Sequence, residues 1–279
     1  RQHFVYPVGG SRDDQQWIAA SEEPEWSGAP SRGLDYWRDV FEVLANEPVE
    51  GMNRVILTQL RDLGITKSGG FHPDEEQRAV LIEAATLGDA MAMVNTFSKR
   101  SYKSKHWPNR EWRYVLNQTR LDLMHADYYE AKEIASYTYE AFATSKGMML
   151  PTREQGSKYL GAYIDEDGEW LDGSHGYQIT IPPDAPAVDF WPIAVYTNDT
   201  RSLIINDQGR AVVSSQQDLV VEADGTVKVF ISPAAPDGYD ANWVQSQPGV
   251  GFFVYLRLYG PTEAYYDKSW IMPDIQRLD

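Results

Sequence analysis

The spacing of apolar residues changes near residue 150, and no other feature of the chain constrains its fold as strongly. Before that point apolar residues recur every three or four positions, which indicates amphipathic helices; after it they alternate, which indicates strands with one buried face. We divide the 279 residues into a loop-rich lead-in with a short strand over 1–33, a helical region over 34–148 and a β-sandwich domain over 149–279. The predicted fold is α+β, with a helical N-terminal segment packed on a C-terminal antiparallel β-sandwich or jelly roll.

Four helices are predicted in the helical region. The first is stopped by Pro48, and the second ends at Gly64, a residue suited to the left-handed C-cap. The third begins at Pro73, because three acidic residues follow it and acids stabilise the positive end of a helix. It runs to about Phe97, and a last helix follows over 128–142.

Strands are predicted where the apolar residues alternate. Besides a short strand over 4–8, the runs lie over 177–181, 189–196, 227–231 and 252–259, and Asp-Gly pairs between them mark turns. The runs over 190–196 and 252–258 are apolar on both faces, so we place them at the centre of a sheet with one face receiving the helices.

The segment from Asp165 to Gly168 has the composition of the start of a calcium-binding loop. It lies between predicted strands, however, and Gly176 stands where such a loop needs a glutamate. We therefore predict a hairpin turn here in preference to a calcium site.

The charge balance argues against polyanionic partners. The chain has 25 Lys and Arg residues against 41 Asp and Glu residues, a formal net charge of −16, so it repels phosphate backbones and anionic lipid. The local basic cluster of Lys99, Arg100, Lys103 and Lys105 is interpreted as a solvated helix end. No run approaches the roughly 18 apolar residues of a membrane helix. We predict no nucleic-acid binding and no membrane insertion.

Neither a metal nor a cofactor is predicted. The chain contains no cysteine, which excludes disulfides, thiolate catalysis and cysteine-ligated metals. Its five histidines show no metal-ligand spacing, and the familiar nucleophile-elbow, phosphate-loop and zinc-helix motifs are missing from the sequence. Folding is therefore expected to depend on packing alone.

Two residues are candidates for catalysis, His175 and Arg257. His175 follows a turn at the mouth of a strand, where an imidazole can act as general acid or base; the alternative is an exposed turn histidine. Arg257 lies in an aromatic strand with Tyr255 and Tyr259 on the same face, and a buried guanidinium needs an anionic or carbonyl partner. That partner is either an internal carboxylate or the acidic group of a substrate.

Three aromatic residues are candidates for substrate binding: Trp191, Trp243 and Tyr259. Aromatic rings stack on flat ligands when they are exposed, and they fill the core when they are not. For Trp243, which follows a proline-rich loop and precedes the last long strand, the alternative is that the ring closes one end of the core.

A series of short motifs runs through the last third of the chain and carries a resemblance. In chain order they are Tyr159-Leu160, Asp165 to Gly168, Phe190-Trp191, Asp224 to Val227, Asn242-Trp243, Arg257-Leu258-Tyr259 and Trp270 to Pro273. With these motifs the C-terminal part resembles the bacterial family of unknown function numbered 1214. The helical part, with Phe71-His72-Pro73-Asp74, resembles the segment that precedes this domain in the same proteins.

The resemblance implies a β-sandwich fold and a protein with a pocket. Many such proteins are exported by bacteria, which implies a periplasmic or extracellular location. They usually begin with a separate β module, the family numbered 1254. Because the chain opens at Arg1 on a predicted strand, we expect that module to be absent from it. The resemblance implies no particular reaction and no catalytic residues.

Two main functions are open from the sequence. The first is an enzyme, a hydrolase or lyase acting on a small polar organic or sugar-like substrate, with His175 as acid or base and Arg257 holding an anionic group between helices and sandwich. The second is a non-catalytic carbohydrate or small-ligand binding module that uses the three aromatic residues. A third interpretation is that the chain is one half of a larger processed protein.

Overall fold

A computed structural model describes residues 8–11, 13, 30–49, 54–99, 104–115, 127–141 and 152–278. Most of the strand predicted over 4–8 lies outside these residues, and Val8 is in a turn. The C-terminal end of the last predicted helix and the start of the predicted sandwich domain, over 142–151, also lie outside them.

All four helices predicted in the helical region are present. They are α1 (Gly33–Asn46), α2 (Arg54–Asp62), α3 (Glu75–Ser98) and α4 (Ala131–Ala141), and a short α5 (Glu263–Tyr266) follows the sandwich strands. The start of α3 differs slightly from the prediction, because Asp74 and not Pro73 is its first boundary residue. Asp74 accepts a hydrogen bond from the Gln77 amide while Gln77 accepts one from the Asp74 amide, so the two satisfy each other's backbone donors.

The strands form two large sheets and one small hairpin. In chain order they are β1 (Ile65–Thr66), β2 (Gly70–Phe71), β3 (Arg113–Tyr114), β4 (Ser157–Ala162), β5 (Tyr177–Ile181), β6 (Ala187–Phe190), β7 (Pro192–Thr197), β8 (Val212–Ser214), β9 (Val227–Ser232), β10 (Trp243–Gln245), β11 (Phe252–Pro261) and β12 (Gln276–Arg277). One sheet has the order β3-β4-β11-β7-β8 with β6 also beside β11, and the other has the order β10-β9-β5-β12.

Two details of the predicted sandwich need correction. The sheets are not wholly antiparallel, because β10 runs parallel to β9. The single strand predicted over 189–196 is divided at Trp191 into β6 and β7, which pair one after the other with the same edge of β11. Pro192 begins β7 and has no amide hydrogen to donate, so the ladder is interrupted where the chain changes from one strand to the next.

The hydrophobic core lies between the two large sheets. Leu160, Val254 and Leu256 of the six-stranded sheet belong to one buried cluster with Ile179 and Val229 of the four-stranded sheet. This pairing of inner faces is the predicted sandwich. The outer face of the six-stranded sheet is covered by helices, as predicted for the central strands.

The predicted hairpin at Asp165 is confirmed. The Asp165 amide donates to the carbonyl of Glu169 (2.9 Å), and Gly168 adopts a left-handed φ of 85° in the turn. The Asp165 carboxylate itself accepts hydrogen bonds from the amides of Asp167 and Glu169, so it shapes the turn.

A buried amide joins the loop before β9 to the segment that leads into β10. Asn242 is fully buried; its Oδ1 accepts from the Val220 amide (2.8 Å), and its Nδ2 donates to the carbonyls of Val220 (2.9 Å) and Lys228 (2.8 Å). The side chain thereby supplies hydrogen bonds to backbone groups that a neighbouring strand would otherwise supply at the edge of the sheet.

Replacing Asn242 with alanine is expected to lower the free energy of unfolding by about 2–3 kcal/mol, because a fully buried side chain loses its hydrogen bonds to three backbone groups. Urea denaturation measures this. Asn46→Ala is the matched control, since the Asn46 amide makes one exposed bond to its own helix, and it should change stability by less than about 0.5 kcal/mol. Equal effects from the two variants would contradict the role of Asn242.

One helix corrects the expectation drawn from the hydropathy of the chain. By length and composition, α3 meets the criterion for a membrane-crossing helix, and it is the one helix in the described part of the chain that does. The criterion is weak, because core helices and signal sequences also satisfy it. Unlike a core helix, α3 leaves most of its apolar window exposed.

Candidate functional site

The outer face of β11 carries the side chains from which we build the candidate site. Along this strand Val254, Leu256 and Leu258 point into the core, so Tyr255 and Arg257 face the other way, toward the helices. The antiparallel pairing of β11 with β4 sets Arg257 opposite Tyr159, and its pairing with β7 sets Phe253 opposite Tyr196.

Arg257 is surrounded by tyrosines. Its Nη2 donates a hydrogen bond to the hydroxyl of Tyr196, and its guanidinium carbon lies 5.3 Å from the ring centre of Tyr159 and 5.8 Å from that of Tyr196. Tyr259, two residues along the strand, also favours the charged form of the guanidinium. We call Arg257, Tyr159, Tyr196 and Tyr259 the arginine–tyrosine site; all four side chains are partly exposed.

The guanidinium has no carboxylate partner among the described residues. Partial burial works against its charge, and the nearby hydroxyls of Tyr196, Tyr259 and Tyr159 more than offset this, so the pKa of Arg257 lies above its usual value. The internal carboxylate considered from the sequence is therefore not found within the described part of the chain. Arg257 Nε is buried there without a hydrogen-bond partner.

Tyr196 keeps its proton at neutral pH. Burial raises the pKa of Tyr196, an effect that the adjacent Arg257 opposes only in part. A protonated hydroxyl both donates and accepts hydrogen bonds. The arginine–tyrosine site therefore presents one fixed positive charge beside hydroxyl groups.

A buried ionic cluster lies beside this site, between the helices and the sheet. Glu140 of α4 is fully buried and accepts hydrogen bonds from the hydroxyls of Tyr163 and Tyr255 and, at 2.6 Å, from Lys99 Nζ. Lys99 Nζ also donates to the carbonyl of Val115 (3.0 Å). We call Glu140, Lys99, Tyr163 and Tyr255 the glutamate network.

The glutamate network and the arginine–tyrosine site share one aromatic layer. The ring centre of Tyr255 lies 5.0 Å from that of Tyr196, so hydrogen-bond partners of Glu140 and of Arg257 are in contact. Burial, followed by the Glu140 charge, raises the pKa of both Tyr163 and Tyr255 well above the usual value. These two hydroxyls are held as donors to the carboxylate.

Lys99 also corrects the interpretation of the basic cluster over 99–105. It is not a solvated helix end, since its ammonium is buried and paired with Glu140, and Lys105 pairs with Glu111 at 2.5 Å. Arg100 and Lys103 lie outside the described residues.

His175 is not brought to Arg257. It precedes β5 in the four-stranded sheet, and its ring contacts Arg277 Nη2 of β12 at 2.8 Å. Arg257 belongs to the other sheet and faces the helices. The two candidate catalytic residues thus occupy separate parts of the sandwich, and the predicted arrangement of one acid–base group with one anion holder in a single cleft is not formed.

The three aromatic candidates are also separated. Trp191 is buried in the core between the sheets, which leaves no ring face for a ligand. Trp243 lies on the edge strand β10 of the four-stranded sheet, where its Nε1 donates to the carbonyl of Ser232 (2.9 Å). Tyr259 belongs to the arginine–tyrosine site and stacks on Phe190, with ring centres 4.2 Å apart.

Residues 156–263 match the family described as Protein of unknown function (DUF1214). This segment is a DUF1214 domain. It contains every member of the arginine–tyrosine site, whereas Lys99 and Glu140 precede it in the chain. The site thus lies within the segment of this chain that matches DUF1214, and the glutamate network joins that segment to the helices before it.

Solved structures resemble the chain at low identity. The VPA0106 protein from Vibrio parahaemolyticus is 19% identical with a TM-score of 0.43, over 95% of this chain and 60% of that protein. An uncharacterized protein from Burkholderia cenocepacia is 14% identical with a TM-score of 0.32, over 86% of this chain and 52% of that protein. The chain thus spans 60% or less of the length of these proteins. No curated protein matches it.

A histidine outside the DUF1214 domain is the most perturbed imidazole among the described residues. His106 is buried, its Nδ1 lies 2.8 Å from the Tyr114 hydroxyl, and its ring stacks on Tyr265 with centres 4.7 Å apart. Burial, and secondarily the charge of Lys268, lowers the pKa of His106 to about 3. The ring is therefore neutral at physiological pH and belongs to the packed interior.

Sequence analysis missed four members of these clusters, Tyr159, Tyr163, Tyr196 and Glu140. Tyr159 and Tyr196 lie in strands on either side of β11, and only the strand pairing brings them to Arg257. Glu140 follows Tyr137 and Tyr139 in an alanine- and tyrosine-rich helix, where an acid is usually solvent-exposed. The one signal in the sequence was an acid close to two aromatic residues of the same helix.

Proposed function

We propose that this protein binds a small organic anion at the arginine–tyrosine site. The observation that carries the proposal is a partly buried guanidinium that has tyrosine hydroxyls around it and no carboxylate partner among the described residues. A guanidinium presents its donors in a planar fork that fits the two oxygens of a carboxylate or phosphate group. The hydroxyl of Tyr196, whose pKa is raised, can donate to the same oxygens.

The arrangement favours a carboxylate on a planar or apolar body. Tyr159 and Tyr196 offer ring surfaces on either side of the guanidinium, and the Phe190–Tyr259 stack continues the aromatic surface along β11. Aromatic walls contribute contact area that a fully hydrated inorganic ion cannot use. Within the anions, we therefore expect an aromatic or aliphatic carboxylate to bind more tightly than inorganic phosphate.

Binding is better supported than the hydrolase or lyase activity considered from the sequence. General acid–base catalysis near neutral pH is most effective with a group whose pKa lies near 7. At the arginine–tyrosine site, the pKa values of Arg257 and Tyr196 are both raised, so neither group exchanges a proton readily at that pH. The imidazole proposed as acid or base, His175, contacts Arg277 on the other sheet.

Arg257→Gln tests the proposal. The wild-type protein should show a thermal midpoint that rises with added sodium benzoate, less with sodium phosphate, and not with sodium chloride at the same ionic strength. The variant should lose the benzoate response while its free energy of unfolding stays within about 1 kcal/mol of wild type, because no buried carboxylate is left unpaired.

Arg153→Gln is the matched control, since Arg153 is an exposed arginine that pairs with Glu263. It should keep the full benzoate response. An Arg257→Gln variant that responds to benzoate as the wild type does would remove the arginine–tyrosine site as the binding site. Loss of the response in both variants would show a nonspecific effect of positive charge.

A further inference from the structure

The outward side of α3 is an apolar surface that the described fold leaves uncovered. Val80, Leu87, Met91 and Val94 are 47%, 59%, 64% and 51% exposed. Their spacings of seven, four and three residues place them on one side of the helix. We call these four residues the α3 stripe. Apolar side chains that form one continuous exposed row usually mark an interaction surface.

Other sides of α3 make contacts within the chain, which fixes the orientation of the helix. Leu81 packs in the cluster formed with α1 and α2, and Thr96 donates to the carbonyl of Ser136 in α4. The helix therefore cannot turn to bury the α3 stripe without losing these contacts. Within the described part of the chain, no element covers the stripe.

We propose that the α3 stripe pairs with the α3 stripe of a second copy of this chain, antiparallel about a two-fold axis at Leu87. In that register Leu87 meets its own copy and Val80 meets Val94, since each lies seven residues from the axis. The same patch thus serves both subunits, as closed two-fold symmetry requires. The proposal does not rest on the arginine–tyrosine site.

The low charge of α3 favours a second copy of the chain as the partner. The chain carries a net charge of −16, so two copies repel each other over most of their surface. Between Ala79 and Ser98, however, α3 carries only two charged residues, Glu83 and Asp89, which makes it a place where copies approach with little repulsion.

The ends of the helix select the antiparallel arrangement. The N-terminal end begins with the acids Asp74, Glu75 and Glu76. Parallel pairing would set these acids against their own copies, whereas antiparallel pairing separates them and aligns the helix dipoles in opposite directions.

The size of the surface sets the expected strength of association. A 24-residue helix is about 36 Å long and presents a face about 10 Å wide. The resulting area is smaller than the roughly 800 Å² that each partner contributes to a standard stable interface. We therefore expect association that depends on protein concentration, and not a permanent dimer.

Cysteine cross-linking of the full chain tests the register, because the chain has no cysteine of its own. Leu87→Cys should form a disulfide-linked dimer under mild oxidation, since two-fold pairing brings the two sulfur atoms together. Val80→Cys and Val94→Cys should each cross-link poorly alone and well when mixed. Ile205→Cys, at an exposed apolar residue outside α3, is the control and should stay monomeric.

Sedimentation equilibrium tests association without cross-links. The wild-type mass should rise toward twice the monomer mass with concentration, and Leu87→Lys should remain monomeric with an unchanged circular dichroism spectrum. A wild type that is monomeric up to its solubility limit overturns the proposal. So do efficient self-cross-links by Val80→Cys alone, which indicate parallel pairing, and flotation with phosphatidylcholine vesicles that Leu87→Lys abolishes, which indicates lipid as the partner.

Discussion

Replacing Glu140 with glutamine is expected to lower the free energy of unfolding by about 3–5 kcal/mol. The substitution keeps an oxygen that can accept from Tyr163 and Tyr255, but it leaves the buried ammonium of Lys99 without a counter-charge. A buried ion pair adds little over a hydrophobic replacement, whereas breaking one by removing a single partner is strongly destabilising. Urea denaturation at neutral pH measures the loss.

A second substitution separates the unpaired charge from other effects of the glutamine. In the double variant Lys99→Met with Glu140→Gln no uncompensated charge remains, so it should be more stable than Glu140→Gln alone. Glu263→Gln, which removes the exposed acid that pairs with Arg153, should leave stability unchanged within error. A double variant less stable than Glu140→Gln would show that the hydrogen bonds of Lys99 to the backbone matter more than its charge.

The stability of the protein is expected to fall by about 2 kcal/mol between pH 7.5 and pH 5.0 because of His106 alone. Its pKa in the folded state is lowered to about 3, below the ordinary value of 6.5 that applies in the unfolded chain. The unfolded state therefore binds the proton first as the pH falls. The contribution of His106 is fully present above pH 6.5 and is lost progressively toward pH 3.

The groups around His106 allow this part of the pH dependence to be assigned to His106. Tyr114 and Tyr265 stay protonated throughout the range, since burial raises both pKa values, and the charge of Lys268 disfavours the imidazolium. His106→Phe keeps an aromatic ring against Tyr265 and cannot titrate. It should lose about 2 kcal/mol less than the wild type between the two pH values. An identical loss in both proteins would show that other groups carry the pH dependence.

Local sequence patterns were sufficient to predict helix ends and strand alternation, because these depend on residues that are close together in the chain. The start of helix α3 was predicted at Pro73, one residue before its observed cap. Asp74 caps the helix and exchanges hydrogen bonds with Gln77. Strand β11 shows alternation and an aromatic face, which predicted that Arg257 lies on the same face as Tyr255 and Tyr259. The predicted strand over 189–196 was too long because apolar content alone does not show that the proline at 192 interrupts the ladder.

The clusters depend on contacts between residues that are far apart in the chain. Lys99 and Glu140 are 41 residues apart, and His175 meets Arg277 at a separation of 102. No periodicity in one segment reports such pairs. The sequence did not decide whether Trp191 fills the core or contacts a ligand, because an apolar ring at a strand end has the same sequence signature in both cases.

The alternation of side chains along β11 limits where residues can be inserted into this protein or deleted from it. Because alternate side chains of one strand serve the core and the arginine–tyrosine site, an insertion or deletion of one residue before Arg257 would exchange the two sets. Leucine would face the helices, and the guanidinium would enter the space between the sheets. We therefore expect that insertions are tolerated in the turns at either end of β11 but not within it, so that the length of this strand is constrained as tightly as the identity of its residues.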